Sequence, residues 1–327
     1  MSKFIISSSP SIRCPRTTKG IMADVCIALL PAAIFGIVSF GYRAAIVLAL
    51  AVLSSVAAEI VWNVTYGKQK IGESLKKLDL TSVVTGLILG MNLGSQVKWY
   101  MPVLGGIFAV IVVKMLFGGT GKNFVNPAAA GRVFLAISFP SIMLSGWLPS
   151  AIPAISSSSV STGATILSGA IKGESELSLL DMFLGSGMAG SIGETCKAAI
   201  LIGYLYLSIR GVIKWQYPLV AVLTCGVVSA LAAWNVKAFL PSMLSGGLIF
   251  AAVFMVTDYV TSPDTKLGNY VYFALFGAVV ALLRFKNESE VVSYAILLLN
   301  FVVPLIDRFL KPVPFGTEKK IKEAKNQ

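Results

Sequence analysis

Ten apolar stretches alternate with short polar ones along the chain, at about 22–40, 44–63, 80–94, 100–117, 124–140, 196–210, 216–235, 242–257, 269–285 and 291–310. A helix needs roughly 20 apolar residues to cross the hydrocarbon core of a bilayer. The pattern therefore predicts an all-α polytopic membrane protein with about ten transmembrane helices. The third, fifth and eighth stretches are short or interrupted by Gly and polar residues. Interrupted helices of this kind often mark a solute or ion site near the membrane midplane. One long polar stretch, 141–195, leaves five apolar segments on either side. An odd number per half makes the two halves inverted relative to each other. Two strings echo across the halves: GLILG (Gly86 to Gly90) resembles GGLIF (Gly246 to Phe250), and KNFVNP (Lys122 to Pro127) resembles LNFVVP (Leu299 to Pro304). Chance likeness between apolar strings accounts for the echo equally well. The chain thus reads as five regions: a polar N-terminal segment (1–21), a first half (22–140), a loop (141–195), a second half (196–310) and a basic tail (311–327). Nothing near the start resembles an A-x-A cleavage site, so no removed signal peptide is expected.

Composition agrees. Apolar residues are 56% of the 327, charged residues 13%, and mean hydropathy is +0.80. Soluble domains carry about 25% charged residues, so a soluble enzyme, a secreted disulfide scaffold and a disordered tail are excluded. The chain has no His, which excludes a His-ligated haem, a Cys/His zinc site and a Ser–His–Asp triad made by this chain alone. Cys14, Cys26, Cys196 and Cys225 form no C-x-x-C pair. A four-thiolate iron–sulfur cluster would need another subunit, and no metal ligands are assigned here. The net charge of +12 reads as topology rather than nucleic-acid binding, because Lys and Arg gather in loops on the cytoplasmic side of a membrane. With the N-terminus inside, Lys3, Arg13, Arg16, Lys19, Lys68, Lys70, Lys76, Lys77, Lys122, Arg210, Lys214, Lys266, Arg308 and the tail lysines share one side. Arg43, Lys98, Lys172, Lys197, Lys237, Arg284 and Lys286 take the other. Both termini are expected in the cytoplasm and the 141–195 loop outside.

Four places invite chemistry. In the loop, Ser161, Thr162, Gly163, Ala164 and Thr165 form a small, polar string, and such strings are commonly linkers. Between the fourth and fifth segments runs Gly118-Gly119-Thr120-Gly121-Lys122-Asn123-Phe124-Val125-Asn126-Pro127. It does not meet the phosphate-loop spacing, and no strand precedes it. Asn123 and Asn126 share one side if the segment is helical, and either would also serve to cap a helix start. Asp258 follows the eighth apolar run in Thr257-Asp258-Tyr259-Val260-Thr261-Ser262-Pro263. A carboxylate there is a functional candidate, or a cap at the surface. Asp79 reads as a cap for the third segment rather than an ion ligand. Inside the spans, Glu59, Lys114 and Arg132 are charged. Glu59 suits a Na⁺ or H⁺ route, and a structural ion pair suits it equally.

These strings resemble one family, the membrane subunits of Rnf and Nqr respiratory complexes. Ser161 to Thr165 resembles its flavinylation motif, although Ser159 stands where such motifs often have Asp. The Gly118 to Pro127 string resembles its G-K-N-x-x-N-P-A-A signature, and the Asp258 string resembles its T-D segment. The likeness covers nearly the whole chain. It implies ten helices in two inverted five-helix repeats, similar to urea transporters. It implies FMN joined through its phosphate to Thr165 by a flavin transferase, and a non-covalent riboflavin near Asn123, Phe124 and Asn126. Glu59 and Asp258 are candidates for the ion path, and no residue is expected to be catalytic by itself. The implied activity is that of a flavin-carrying subunit of an ion-translocating ferredoxin–NAD oxidoreductase in the prokaryotic cytoplasmic membrane. Its partners would be other Rnf subunits, including a second FMN-carrying subunit and iron–sulfur subunits, with Na⁺ or H⁺ as coupling ion and no nucleic acid. The short segment before the first apolar stretch favours the RnfD side of the family over the NqrB side. A non-redox channel or solute carrier is the rival from another class.

Overall fold

Each of the ten apolar stretches contains helix, and the interruptions read from the sequence are real breaks. The structure is a computed structural model that describes residues 16–145, 147, 169–170, 178–287 and 291–311. The Ser161 to Thr165 string, the polar N-terminal residues before Arg16 and the basic tail beyond Lys311 lie outside the described residues. Among the described residues the regular structure is helical, with no strand beyond isolated bridge pairs.

Helices α1 (Thr18–Phe40) and α2 (Tyr42–Thr65) are followed by a short amphipathic α3 (Ile71–Lys77) and by α4 (Thr81–Met91), which has 11 residues. Helix α5 (Tyr100–Met115) is α-helical to Ile107 and a π-helix over Phe108–Met115. Helix α6 (Pro127–Ser138) has 12 residues and leads into α7 (Pro140–Ser145). After the loop come α8 (Leu179–Leu184), α9 (Lys197–Ile209) and α10 (Gln216–Ala232). The eighth stretch is split into α11 (Phe239–Leu244) and α12 (Leu248–Phe254), set at 56° to each other. The chain ends with α13 (Lys266–Asn287) and α14 (Val292–Phe309). Among the described residues four helices, α1, α2, α13 and α14, are long and apolar enough to cross a membrane, or five if the bent pair counts as one span. The others are too short to span alone.

Small residues set the closest crossings, as expected where lipid removes any hydrophobic drive between helices. A Cβ on Gly86 of α4 would lie 2.7 Å from the Ala51 carbonyl oxygen of α2. A Cβ on Gly277 of α13 would lie 2.2 Å from the Ala221 carbonyl oxygen of α10. Apolar side chains of α1, α10 and α14 such as Ile34, Leu223 and Phe301 stay exposed around the outside, as a lipid-facing surface requires. At the end of α4 a buried turn closes over the helix: Ile192 N–H donates to the Leu93 carbonyl at 3.0 Å and Gly193 N–H to the Met91 carbonyl at 2.8 Å. The α4 and α12 ends meet inside the molecule, where the Asn92 amide reaches Met255 Sδ at 3.5 Å.

Candidate functional site

The polar groups read from the sequence gather at the starts of two short helices. A cleft of about 860 Å³, counted with the solvent at its mouth, runs between the first turns of α1, the starts of α4 and α6, and the segment after α12. Ligand pockets commonly pair apolar walls with a few polar groups. Here Ile21, Val25, Val84, Ile88 and Phe254 supply apolar wall, while Thr81, Thr120, Asn123, Asn126 and Thr257 supply polar groups. Among the described residues that line the cleft, Asp258 is the one carboxylate and Lys114 the one ammonium.

At the α6 start the string is not helical before Pro127, yet both asparagines face inward. Asn126 is the N-cap: its Oδ1 accepts from Ala128 N–H at 3.0 Å and Ala129 N–H at 3.1 Å. Its amide nitrogen donates to the Met255 carbonyl at 3.0 Å, and its backbone N–H donates to Asn300 Oδ1 at 3.0 Å. Pro127 then follows at the first helical position, where its missing N–H costs nothing. Asn123 donates to the Val125 carbonyl at 3.0 Å and hydrogen-bonds the Asp258 carboxylate. Phe124 between them turns the other way. It is 46% exposed and packs on Phe117 and Phe301 with ring centroids 4.7 Å and 5.6 Å away, so it does not line the cleft.

Asp258 sits in the loop after α12, outside the helices. It accepts from Val260 N–H at 3.4 Å and Thr261 Oγ1 at 3.3 Å. Burial pushes its carboxyl above the ordinary range, and these bonds with that of Asn123 pull back in part.

At the α4 start the groups are charged. Glu59 of α2 and Lys114 of the α5 π-stretch form a buried pair at 3.2 Å, each under a tenth exposed. Lys114 Nζ also donates to Ser82 Oγ at 3.2 Å and to Thr81 Oγ1, and Ser82 Oγ donates to Glu59. Asp79 accepts from Thr81 N–H at 3.0 Å and from Thr120 Oγ1 at 2.7 Å. Burial works against the charge on Asp79, but the bonds from Thr81 and Thr120 and the nearby Lys114 hold its carboxyl below the usual range. The N-cap is Leu80, in the left-handed region at φ 68; Asp79 serves the helix start from one residue earlier. Arg132, the third charged residue of the first-half spans, stands apart and donates to Ser293 Oγ at 3.1 Å.

The NQR2, RnfD, RnfE family matches over residues 5–316. The chain belongs to that family. With its apolar helices, membership makes it a multi-pass membrane protein. It is 40% identical to the D component of the Na⁺-translocating ferredoxin:NAD⁺ oxidoreductase complex of Acetobacterium woodii, covering 98% of each chain. It is 36% identical to the counterpart in the proton-translocating complex of Clostridium ljungdahlii over 97% of each. It is 34% identical to the D component of the ion-translocating oxidoreductase complex of Cronobacter sakazakii, over 96% of this chain and 99% of that one.

Within this family member, the cleft brings together Asn123, Asn126 and Asp258, while Glu59 stands just behind Lys114. Two polar contacts had no functional reading in the sequence. Asn300, in the middle of α14, accepts from Asn126 and donates to the Thr261 carbonyl at 3.3 Å and to Tyr272 Oη at 2.9 Å. Asn92 joins α4 to Met255. The signal for Asn300 was present: an amide inside an apolar helix needs a partner.

Proposed function

We propose that this chain is the RnfD component of an Rnf complex, a redox-driven ion translocase between ferredoxin and NAD⁺, and that it is inactive alone. Near-full-length similarity to the D components of such complexes, at 32–40% identity, carries the reading. The chain holds riboflavin in the cleft and FMN on Thr165. The cleft residues fit a riboflavin: apolar walls suit its ring system, and neutral amides and hydroxyls stand among them. A flavin ring edge offers both donors and acceptors, and amide side chains answer both. Asn123 and Asn126 would hold that edge and Thr81, Thr120 or Thr257 the polar chain. The flavins supply one- and two-electron transfer; the protein supplies position and electrostatics. The FMN assignment rests on the Ser161 to Thr165 motif.

The ten helical segments are placed in two inverted halves of five, with both termini and the cleft on the cytoplasmic side and the FMN loop outside. Support comes from the α6 start meeting α14, where the echoing strings touch through Phe124 and Phe301 and through Asn126 and Asn300. Glu59 and Asp258 belong to the ion route. The relatives' names include both Na⁺ and H⁺ translocation, so family membership leaves the ion open.

Peptide mass spectrometry tests the reading, on the chain purified with its complex from a host that has the flavin transferase. One FMN-sized adduct on the Thr165 peptide is expected, absent in Thr165→Val, with one extractable riboflavin in both. An unmodified Thr165 in that host returns the lead to a non-redox channel, and flavin fluorescence persisting on the denatured Thr165→Val chain sinks the assignment to Thr165.

A further inference from the structure

We propose that Asn300 is the positioning residue of the cleft: from behind its wall it sets Asn123 and Asn126 at the spacing and polarity that read an imide edge, C(=O)–N–H, of the bound flavin. The proposal rests on the riboflavin reading. Asn123 and Asn126 both line the cleft, and backbone groups fix the orientation of each amide. Asn126 Oδ1 accepts from two N–H groups of α6, and its amide nitrogen donates once, to the Met255 carbonyl. An amide has two N–H donors and one carbonyl acceptor, so Asn126 has a second N–H to give. Asn123 is the opposite case. Its amide nitrogen donates to the Val125 carbonyl and to the Asp258 carboxylate, which leaves its Oδ1 open among the described residues. The pair thus offers the cleft one donor and one acceptor, and an imide edge presents the complement.

Asn300 ties the pair together from the second half of the chain. It stands in α14, is 3% exposed and does not itself line the cleft. Its Oδ1 accepts from Asn126 N–H at 3.0 Å, and its amide nitrogen donates to the Thr261 carbonyl at 3.3 Å and to Tyr272 Oη at 2.9 Å. A backbone N–H and a backbone carbonyl cannot exchange roles, so this amide has one orientation. Thr261 Oγ1 donates to Asp258 at 3.3 Å, and Asp258 takes the Asn123 amide. The bonds therefore leave Asn126, pass through Asn300, Thr261 and Asp258, and return to Asn123. The turn between Asn123 and Asn126 is not helical, so no helix geometry holds the two amides in register. The ring of bonds does, and Asn300 is the member that joins its two sides.

The test uses the whole complex, tagged and solubilised. It is equilibrated with an excess of an equimolar mixture of riboflavin and riboflavin methylated on its imide nitrogen. The non-covalent flavins are then extracted and their ratio is read by mass spectrometry. The wild type is expected to prefer riboflavin about tenfold, because the methyl removes the donor that Asn123 accepts and leaves that acceptor unpaired. Asn300→Asp keeps the acceptor for Asn126 but loses the donors, and its preference should fall to about threefold. Asn300→Leu loses both and should fall to parity. Thr261→Val opens the same ring at its next link while keeping shape, and should also fall to about threefold; it decides the question where the Asn300 variants do not assemble. A merely structural Asn300 would lower the occupancy of both flavins together and leave their ratio unchanged, and that result overturns the proposal. An unchanged ratio in Thr261→Val does the same. A wild type that holds both flavins without preference overturns it too, and leaves the riboflavin reading standing. A wild type that takes up neither flavin sinks the riboflavin reading itself, and the proposal with it.

Discussion

The α4 and α6 starts open on the same cleft and solve the same problem with different chemistry. Both are short helices whose starts are buried or half-buried, and both must satisfy free N–H groups there. At α6 this is done with neutral amides: Asn126 caps, Asn300 accepts from it, and Asn123 reaches Asp258. At α4 it is done with charge: Asp79 serves the first turn, and Glu59 and Lys114 pair behind it. Amides both donate and accept, whereas a carboxylate accepts and an ammonium donates. The neutral end therefore suits a ring edge of mixed polarity, and the charged end suits a cation. On the proposed reading, electron carrier and coupling ion would sit side by side without sharing ligands.

The largest effect is expected at the neutral end. Asn126→Leu removes the α6 cap, worth about 1–2 kcal/mol, and orphans the Met255 carbonyl. Riboflavin should be lost from the purified complex and the yield of assembled complex should fall. Asn126→Asp keeps the cap acceptor but not the donor, so its riboflavin content should fall between those of Asn126→Leu and the wild type. Full riboflavin content in Asn126→Leu would break the division of labour between the two helix starts.

That division was only half legible in the sequence. Apolar runs placed the longer helices but not the short α3, α7 and α8, and Gly and polar interruptions marked the short third and fifth segments and the break in the eighth, because breaks in hydropathy are local. Asn126 as a cap was legible too, since Pro127 follows it. Partners were not. Glu59 and Lys114 are 55 positions apart and Asn126 and Asn300 are 174 apart, and no periodicity in one segment reports which remote segment it meets. The orientation of Phe124 was hidden for a related reason. A non-helical turn puts Asn123 and Asn126 on one side without the 3.6-residue period that would have placed the ring.

A middle-sized effect should separate ion movement from electron flow. Glu59→Gln and Asp258→Asn keep shape while replacing one carboxyl near each helix start. In complexes reconstituted into vesicles, each should lower ion pumping about tenfold, equivalent to 1.4 kcal/mol, while ferredoxin-dependent NAD⁺ reduction falls much less. If Glu59→Gln alone uncouples, the charged α4 end carries the ion. Unchanged pumping in both removes these residues from the route.

The smallest effect belongs to Asp79, and its pH dependence gives it a signature. Its folded carboxyl is held below the ordinary value, so its charge contributes stability above the unfolded value, near pH 4. That contribution is lost as pH falls through the folded value. Asp79 is half-exposed, so solvent screens the benefit to about 1 kcal/mol or less. Asp79→Asn should therefore lower the thermal midpoint slightly at pH 7, and the gap to the wild type should narrow as the pH is taken below about 4. A gap that is constant across this range would mean that the carboxylate's shape, rather than its charge, serves the α4 start. The two helix starts would then differ less in electrostatics than their hydrogen bonds imply, and the charged role at α4 would fall to Glu59 and Lys114 alone.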